Sequence, residues 1–169
     1  MQNQRRVILE NIAPQVDNGI FPIKRIVGQS VQVTADVLAD GHDVLEAAIQ
    51  YKFEKDKKWT EVRMHALPND AFSGQFTVEK QGKYVYFVEA WVDYALNWQY
   101  GITKKINDHQ HVKSELLEGV EYLQPLLTLV SASEKKYLSE LTTWFSDEKY
   151  YDEAIKAAVS EELKAVLKI

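Results

Sequence analysis

Glu115, Glu118 and Glu121 stand at i, i+3 and i+6, a spacing that aligns carboxylates along one side of a helix. Paired carboxylates can work as acid and base on glycosidic bonds, but only in a cleft that holds them in unequal environments. An exposed helix face carrying the same residues does nothing beyond solvation, and that is the expectation here. His109 and His111 have the x-spacing of two metal ligands, yet no third or fourth ligand stands nearby in the sequence, so no metal is expected. His42 and His65 lie beside turns with no serine or aspartate placed to form a nucleophilic pair. The chain has no cysteine, which removes thiol nucleophiles, thiolate metal sites and disulfides. Phosphate loops, dinucleotide fingerprints and nucleophile elbows are missing, and the glycines stand singly at turns. No catalytic residue and no cofactor are assigned.

The aromatic residues carry more information. In Tyr84-Val85-Tyr86-Phe87-Val88-Glu89-Ala90-Trp91-Val92 the period of two places Tyr84, Tyr86 and Val88 on one face and Val85, Phe87 and Trp91 on the other. With the first set in a core, the second forms an outward apolar row, continued by Trp98 and Tyr100. Val85, Phe87, Trp91, Trp98 and Tyr100 are therefore the candidate interface or sugar-stacking residues. Such a row stacks on the apolar faces of sugar rings, or is covered by another domain or subunit, or lies beneath the helical half of the chain.

Strands must position that row. Val31, Val33, Ala35 and Val37 alternate with polar residues, as do Leu45, Ala47, Ile49, Tyr51 and Phe53. Val62 and Met64 mark a short strand, and Phe72, Gly74, Phe76 and Val78 another. Asp40-Gly41, Pro68-Asn69-Asp70 and Gln81-Gly82 separate them as turns. About six strands without intervening helices predict an antiparallel β-sandwich over residues 1–105, of immunoglobulin or fibronectin III type. Gly82-Lys83-Tyr84 has the form of a tyrosine corner, whose phenol bonds back to the preceding backbone.

Residues 106–169 change period. Val112, Leu116, Val120 and Leu123 form one helical stripe, ended or kinked by Pro125. Tyr137, Leu138, Leu141, Trp144 and Phe145 form a second, opened by a capping box from Ser131 to Glu134. Ala154, Ile155, Ala158, Val159, Leu163, Val166 and Leu167 form a third, broken near Ser160. A small α-helical bundle is predicted. Its stripes are wide for so short a segment, so Tyr150, Tyr151, Ile155, Val159, Leu163 and Leu167 are expected to leave a wet face that favours a homodimer. The last stripe runs to Ile169 without a stop signal, as in a chain cut from something longer.

Charge divides at the same place. Residues 1–105 carry 13 basic and 13 acidic side chains, and residues 106–169 carry 7 and 12, so the net −5 resides in the second half. That balance argues against nucleic acid as a partner. No run of about 18 apolar residues offers a membrane span, and the first residues lack an apolar signal core, so a cytoplasmic protein is expected.

Pro14-Gln15-Val16-Asp17-Asn18-Gly19, Phe21-Pro22-Ile23-Lys24, Asp40-Gly41-His42-Asp43 and Val88-Glu89-Ala90-Trp91-Val92-Asp93, in this order and spacing, resemble the N-terminal region of the bacterial maltose-1-phosphate maltosyltransferases. Those are amylase-superfamily enzymes that extend α-1,4-glucans. The motifs cover residues 5–106; the helices correspond only by position and pattern. The resemblance implies an immunoglobulin-like domain and a helical bundle that support a homodimer and pack on a (β/α)₈ barrel of the same chain. It also implies that the catalytic carboxylates lie in that barrel, whose motifs this sequence lacks. α-Glucan is the remaining partner it suggests.

Overall fold

The computed structural model describes residues 7–168. Seven strands precede five α-helices: β1 (Val7–Ala13), β2 (Ser30–Ala39), β3 (Leu45–Phe53), β4 (Thr60–Arg63), β5 (His65–Ala66), β6 (Ala71–Thr77), β7 (Tyr84–Val92), α1 (Tyr94–Asn107), α2 (Lys113–Leu126), α3 (Ala132–Ser146), α4 (Tyr151–Ala158) and α5 (Glu161–Leu167). The chain divides into two compact units, residues 1–93 and 94–169.

In the first unit the strands form two antiparallel sheets, ordered β1-β2-β6-β5 and β4-β3-β7. Val31, Val33, Ala35 and Val37 from β2 and Phe72 and Phe76 from β6 share a core with Ala47, Ile49 and Val88 from β3 and β7. The alternation in each strand thus buries one face of both sheets against a common interior. Between β4 and β5 the chain passes from one sheet to the other at Met64, whose side chain is buried and whose N–H donates to the Ala47 carbonyl. The short segment from Val62 to Met64, with its two apolar side chains turned to the core and Arg63 outward, therefore serves both sheets. The Tyr84 hydroxyl accepts hydrogen bonds from the backbone N–H groups of Glu79 and Lys80, closing the turn before β7 on itself.

The helices begin at Tyr94, ahead of the boundary expected at residue 106. Residues 94–105 are rich in aromatic and β-branched side chains and so resemble a continuing strand. Their buried positions, Leu96, Trp98, Gln99 and Ile102, recur at three and four residues, the period of a helix. In this second unit Leu116, Leu123, Leu138, Leu141, Phe145 and Leu163 are buried. Ser131 and Glu134 form the expected reciprocal cap at the start of α3. Pro125 sits inside the last turn of α2, which runs on to Leu126. Ser160 separates α4 from α5, its hydroxyl capping α5 by accepting from the Leu163 N–H at 3.1 Å. The Gln99 side chain, buried on α1, donates to the carbonyls of Ala158 and Ser160 at 3.1 and 3.0 Å, satisfying the acceptors left by that break.

The expected wet aliphatic face is largely covered. Leu163 and Leu167 are buried within the unit, Tyr150, Tyr151 and Ile155 are half-buried, and Val159 alone of the six is exposed. Close packing with small residues on α4, Ala154, Ala157 and Ala158, lets neighbouring helices approach and seal the stripe.

Candidate functional site

The register of the three-stranded sheet places a compact set of side chains on its outward face. Ala48 pairs with Arg63 and Glu89, Gln50 with Glu61 and Phe87, Lys52 with Val85, and Glu46 with Trp91. Val85 and Phe87 are 38 % and 41 % exposed and Trp91 is half-buried, whereas Tyr84 and Tyr86 pack against the core. The alternation read from the sequence therefore assigns these faces correctly.

Trp59, which precedes β4, belongs to the same surface. Its ring meets Phe87 edge to face at 4.9 Å between centroids. Lys52 Nζ lies 5.0 Å from the Trp59 ring, and the Arg63 guanidinium lies 4.7 Å from the Trp91 ring. Arg63 Nε also pairs with Glu61 at 3.0 Å, and Gln50 Nε2 donates to Glu61 and Glu89 at 2.8 and 3.3 Å. Carboxylates, amide and guanidinium thus hold one another in place between the aromatic rings. Extending the alternation of Glu61 and Arg63 back by two residues reaches Trp59; reading residues 54–58 as a charged turn hides it.

Trp98 does not join this surface. It is 6 % exposed, enclosed by Tyr122 and Phe145, with its Nε1 donating to the Glu115 carbonyl at 2.6 Å. The change from strand to helix at Tyr94 turns it into the interior of the second unit, so it can neither stack on a sugar nor form an interface. Tyr100 remains exposed on α1, with Lys104 Nζ 4.2 Å from its ring.

The other candidates are also placed. Glu115 pairs with Lys105, and Glu118 accepts from the Tyr122 hydroxyl at 3.3 Å. Glu118 and Glu121 are exposed. The hydrogen bond from Lys105 holds the Glu115 carboxyl below its ordinary range. A folded-state pKa below the unfolded one stabilises the fold above the carboxylate range, and that contribution is lost as pH falls through the folded pKa. Lys105→Met is therefore expected to move the Glu115 titration upward and to reduce the acid sensitivity of the helical unit; carbon-detected NMR titration of the Glu115 carboxyl reads the first directly. The His111 ring stacks on Tyr151, whose hydroxyl accepts from the Val112 N–H at the start of α2. Among the described residues no group of three His, Asp or Glu side chains converges as a metal set.

Two compact units, one built of paired antiparallel sheets with an aromatic outer face and one of short helices, define a region of β-then-α order. Residues 5–169 match the family described as alpha-1,4-glucan:maltose-1-phosphate maltosyltransferase, domain N/S, and the chain belongs to that family. It is 31 % identical over 171 residues to the alpha-1,4-glucan:maltose-1-phosphate maltosyltransferase of Chlorobaculum tepidum, covering 98 % of this chain and 24 % of the relative. It is 38 % identical over 122 residues to the enzyme of the same name from Myxococcus xanthus, covering 70 % of this chain and 18 % of the relative. With the Methylacidiphilum infernorum enzyme it shares 34 % identity over 124 residues, 73 % of this chain and 19 % of the relative. The chain thus spans between 18 % and 24 % of the length of these relatives.

Proposed function

We propose that this chain is the N-terminal accessory region of a maltosyltransferase that moves maltosyl units from maltose 1-phosphate to the non-reducing ends of α-1,4-glucans. The observation that carries the reading is the family match along residues 5–169, together with relatives that extend far beyond the aligned region. The sheet unit is an immunoglobulin-like sandwich, a reading supported by its strand orders and by the Tyr84 hydroxyl bonded back to Glu79 and Lys80. The helices form a small bundle. The parent enzyme is of the amylase superfamily, and its two-carboxylate chemistry resides in a barrel outside this sequence. The accessory region supports assembly, including a cytoplasmic homodimer, and the face of Val85, Phe87 and Trp91 meets protein in preference to glucan. Lys52 and Arg63 favour that choice, because each lies over one of the tryptophan rings a sugar would stack on.

Incubation of the chain alone with maltose 1-phosphate and glycogen is expected to release no phosphate above the buffer blank, while a polypeptide of the relatives' length carrying this chain releases it. Release by the chain alone that a point substitution abolishes would overturn the reading. Titration of the chain with maltoheptaose separates the glucan-binding alternative: quenching of the Trp59 and Trp91 fluorescence that disappears in Phe87→Ala would favour it.

A further inference from the structure

The two most exposed large apolar side chains among the described residues are Ile20 and Ile26, at 75 % and 71 %. Both lie in the segment joining β1 to β2, where Val16, Phe21 and Val27 are exposed as well. Scattered apolar side chains on a surface are ordinary, but five within twelve residues form a patch.

The segment is pinned. Asp17 and Asn18 take left-handed backbone conformations, and Gly19 follows at φ +84°. The N–H groups of Gly19 and Phe21 both donate to the Val16 carbonyl, closing a tight turn with Ile20 and Phe21 on its rim. A second turn follows: Gln29 N–H donates to the Ile26 carbonyl, the Ile26 N–H donates to the Gln29 side chain, and Gly28 occupies the left-handed corner at φ +91°. That turn is fastened to the end of β6 by paired bonds between Gly28, Gln29 and Val78. Between the turns Ile23 packs on the core, and Tyr86 donates to the Pro14 carbonyl. Turn corners ordinarily carry polar residues. Here the backbone holds isoleucine, phenylalanine and valine in fixed positions with their side chains in water.

Fixed apolar projections lose little entropy on binding, the condition that makes an anchor effective. Exposed Lys24 and Arg25 stand between them, two adjacent cations on a chain of net charge −5, while Glu79 beside Lys80 and Asp17 in the first turn supply the nearby carboxylates. The relatives supply a polypeptide of which the aligned region is only 18 % to 24 %.

We propose that the two turns of residues 16–29 are the docking face of the sheet unit for the remainder of a maltosyltransferase-length chain, which receives Ile20, Phe21, Ile26 and Val27 on an apolar surface edged by carboxylates facing Lys24 and Arg25. This rests on the accessory reading above.

The test places this chain in the Chlorobaculum tepidum enzyme in place of its aligned region, and compares it with the paired variant Phe21→Asp and Ile26→Asp, both in that setting and in the chain alone. Since all four side-chain positions are wet in the chain alone, the variant is expected to leave its melting temperature unchanged. In the long enzyme it is expected to speed thermal inactivation by about tenfold or more, the scale of losing two interface anchors. Equal inactivation rates in an active long enzyme would overturn the docking face and leave the accessory reading standing. An inactive unsubstituted hybrid beside an active parent would overturn the accessory reading and the docking face with it. Dissociation of a dimer of the chain alone by the variant would assign the face to a second copy, and loss of binding to vesicles of anionic phospholipid would assign it to a lipid surface; either result overturns the proposal.

Discussion

Replacing Trp98 by alanine is expected to destabilise the helical unit by about 3–5 kcal/mol, the range for deleting a large buried aromatic. Three consequences of its position add up. The ring fills the space between Tyr122 and Phe145, at 6.2 and 5.8 Å between centroids, so its removal opens a cavity that helices fixed by their own backbone bonds close only in part. The indole N–H donates to the Glu115 carbonyl, and that bond is lost too. The neighbouring helix is built for this ring: a Cβ on Gly119 would stand 2.3 Å from Trp98 Cζ2. Gly119→Ala is therefore expected to destabilise the same unit by about 1–3 kcal/mol through overpacking, with the ring unable to retreat from its hydrogen bond. In the Trp98→Ala background the added methyl meets no ring, so the two effects should fall well short of their sum. Thermal melts followed by the helical far-ultraviolet signal measure all three variants; additive losses would show that the ring and the glycine do not share one space.

Trp98 is also where the sequence misleads. Its neighbours Trp91 and Tyr100 are accessible or partly so, and Trp98 and Tyr100, the next large aromatic residues after the strand apart from Tyr94, read as continuing its outward row, although a period of two carried past Val92 sets them on the face opposite Trp91. Nothing between Val92 and Tyr94 is a strong breaker, because Asp93 is neither glycine nor proline, so the signals were an N-cap residue type at Asp93 and a change of period over few residues. Where the pattern was long it was decisive. The alternation of β2, β3 and β7, the capping box at Ser131 and the break at Ser160 are local features, set by side-chain spacing and backbone bonding, and all are legible. β1 was hidden because its register with β2 slips between Glu10 and Ala13, which spoils the alternation. Trp59 was hidden because it lies just outside a four-residue strand. The exposed turns of residues 16–29 read in sequence only as a family motif. That their apolar side chains face water depends on which backbone groups pair across the segment, and composition carries no trace of it.

The core of the sheet unit turns on Ile49, fully buried at the centre of β3, and its substitution by alanine is expected to destabilise that unit by about 2–5 kcal/mol. The facing position on β6 is Gly74, where an added Cβ would lie 2.8 Å from Ile49 Cδ1 and 3.1 Å from Met64 Cγ. The glycine carries an ordinary backbone conformation, so the constraint is the isoleucine's terminal methyl, not backbone freedom. Gly74→Ala alone should therefore destabilise by about 1–3 kcal/mol, since neither Ile49 nor Met64 has room to shift in a buried core. In Ile49→Val the interfering methyl is gone, a change that by itself costs about 0.5–1.5 kcal/mol. The alanine methyl then enters the space vacated by Cδ1, and the double variant Ile49→Val with Gly74→Ala should be at least as stable as Gly74→Ala alone. Alanine also has the lower backbone entropy in the unfolded chain, which adds to the recovery. Urea unfolding of the four proteins in this cycle gives the coupling energy, expected to be of favourable sign and about 1 kcal/mol. A coupling of zero would mean that Met64, at the crossing between the two sheets, is what excludes a side chain from position 74, and the same cycle run with Met64→Leu would then carry the coupling instead.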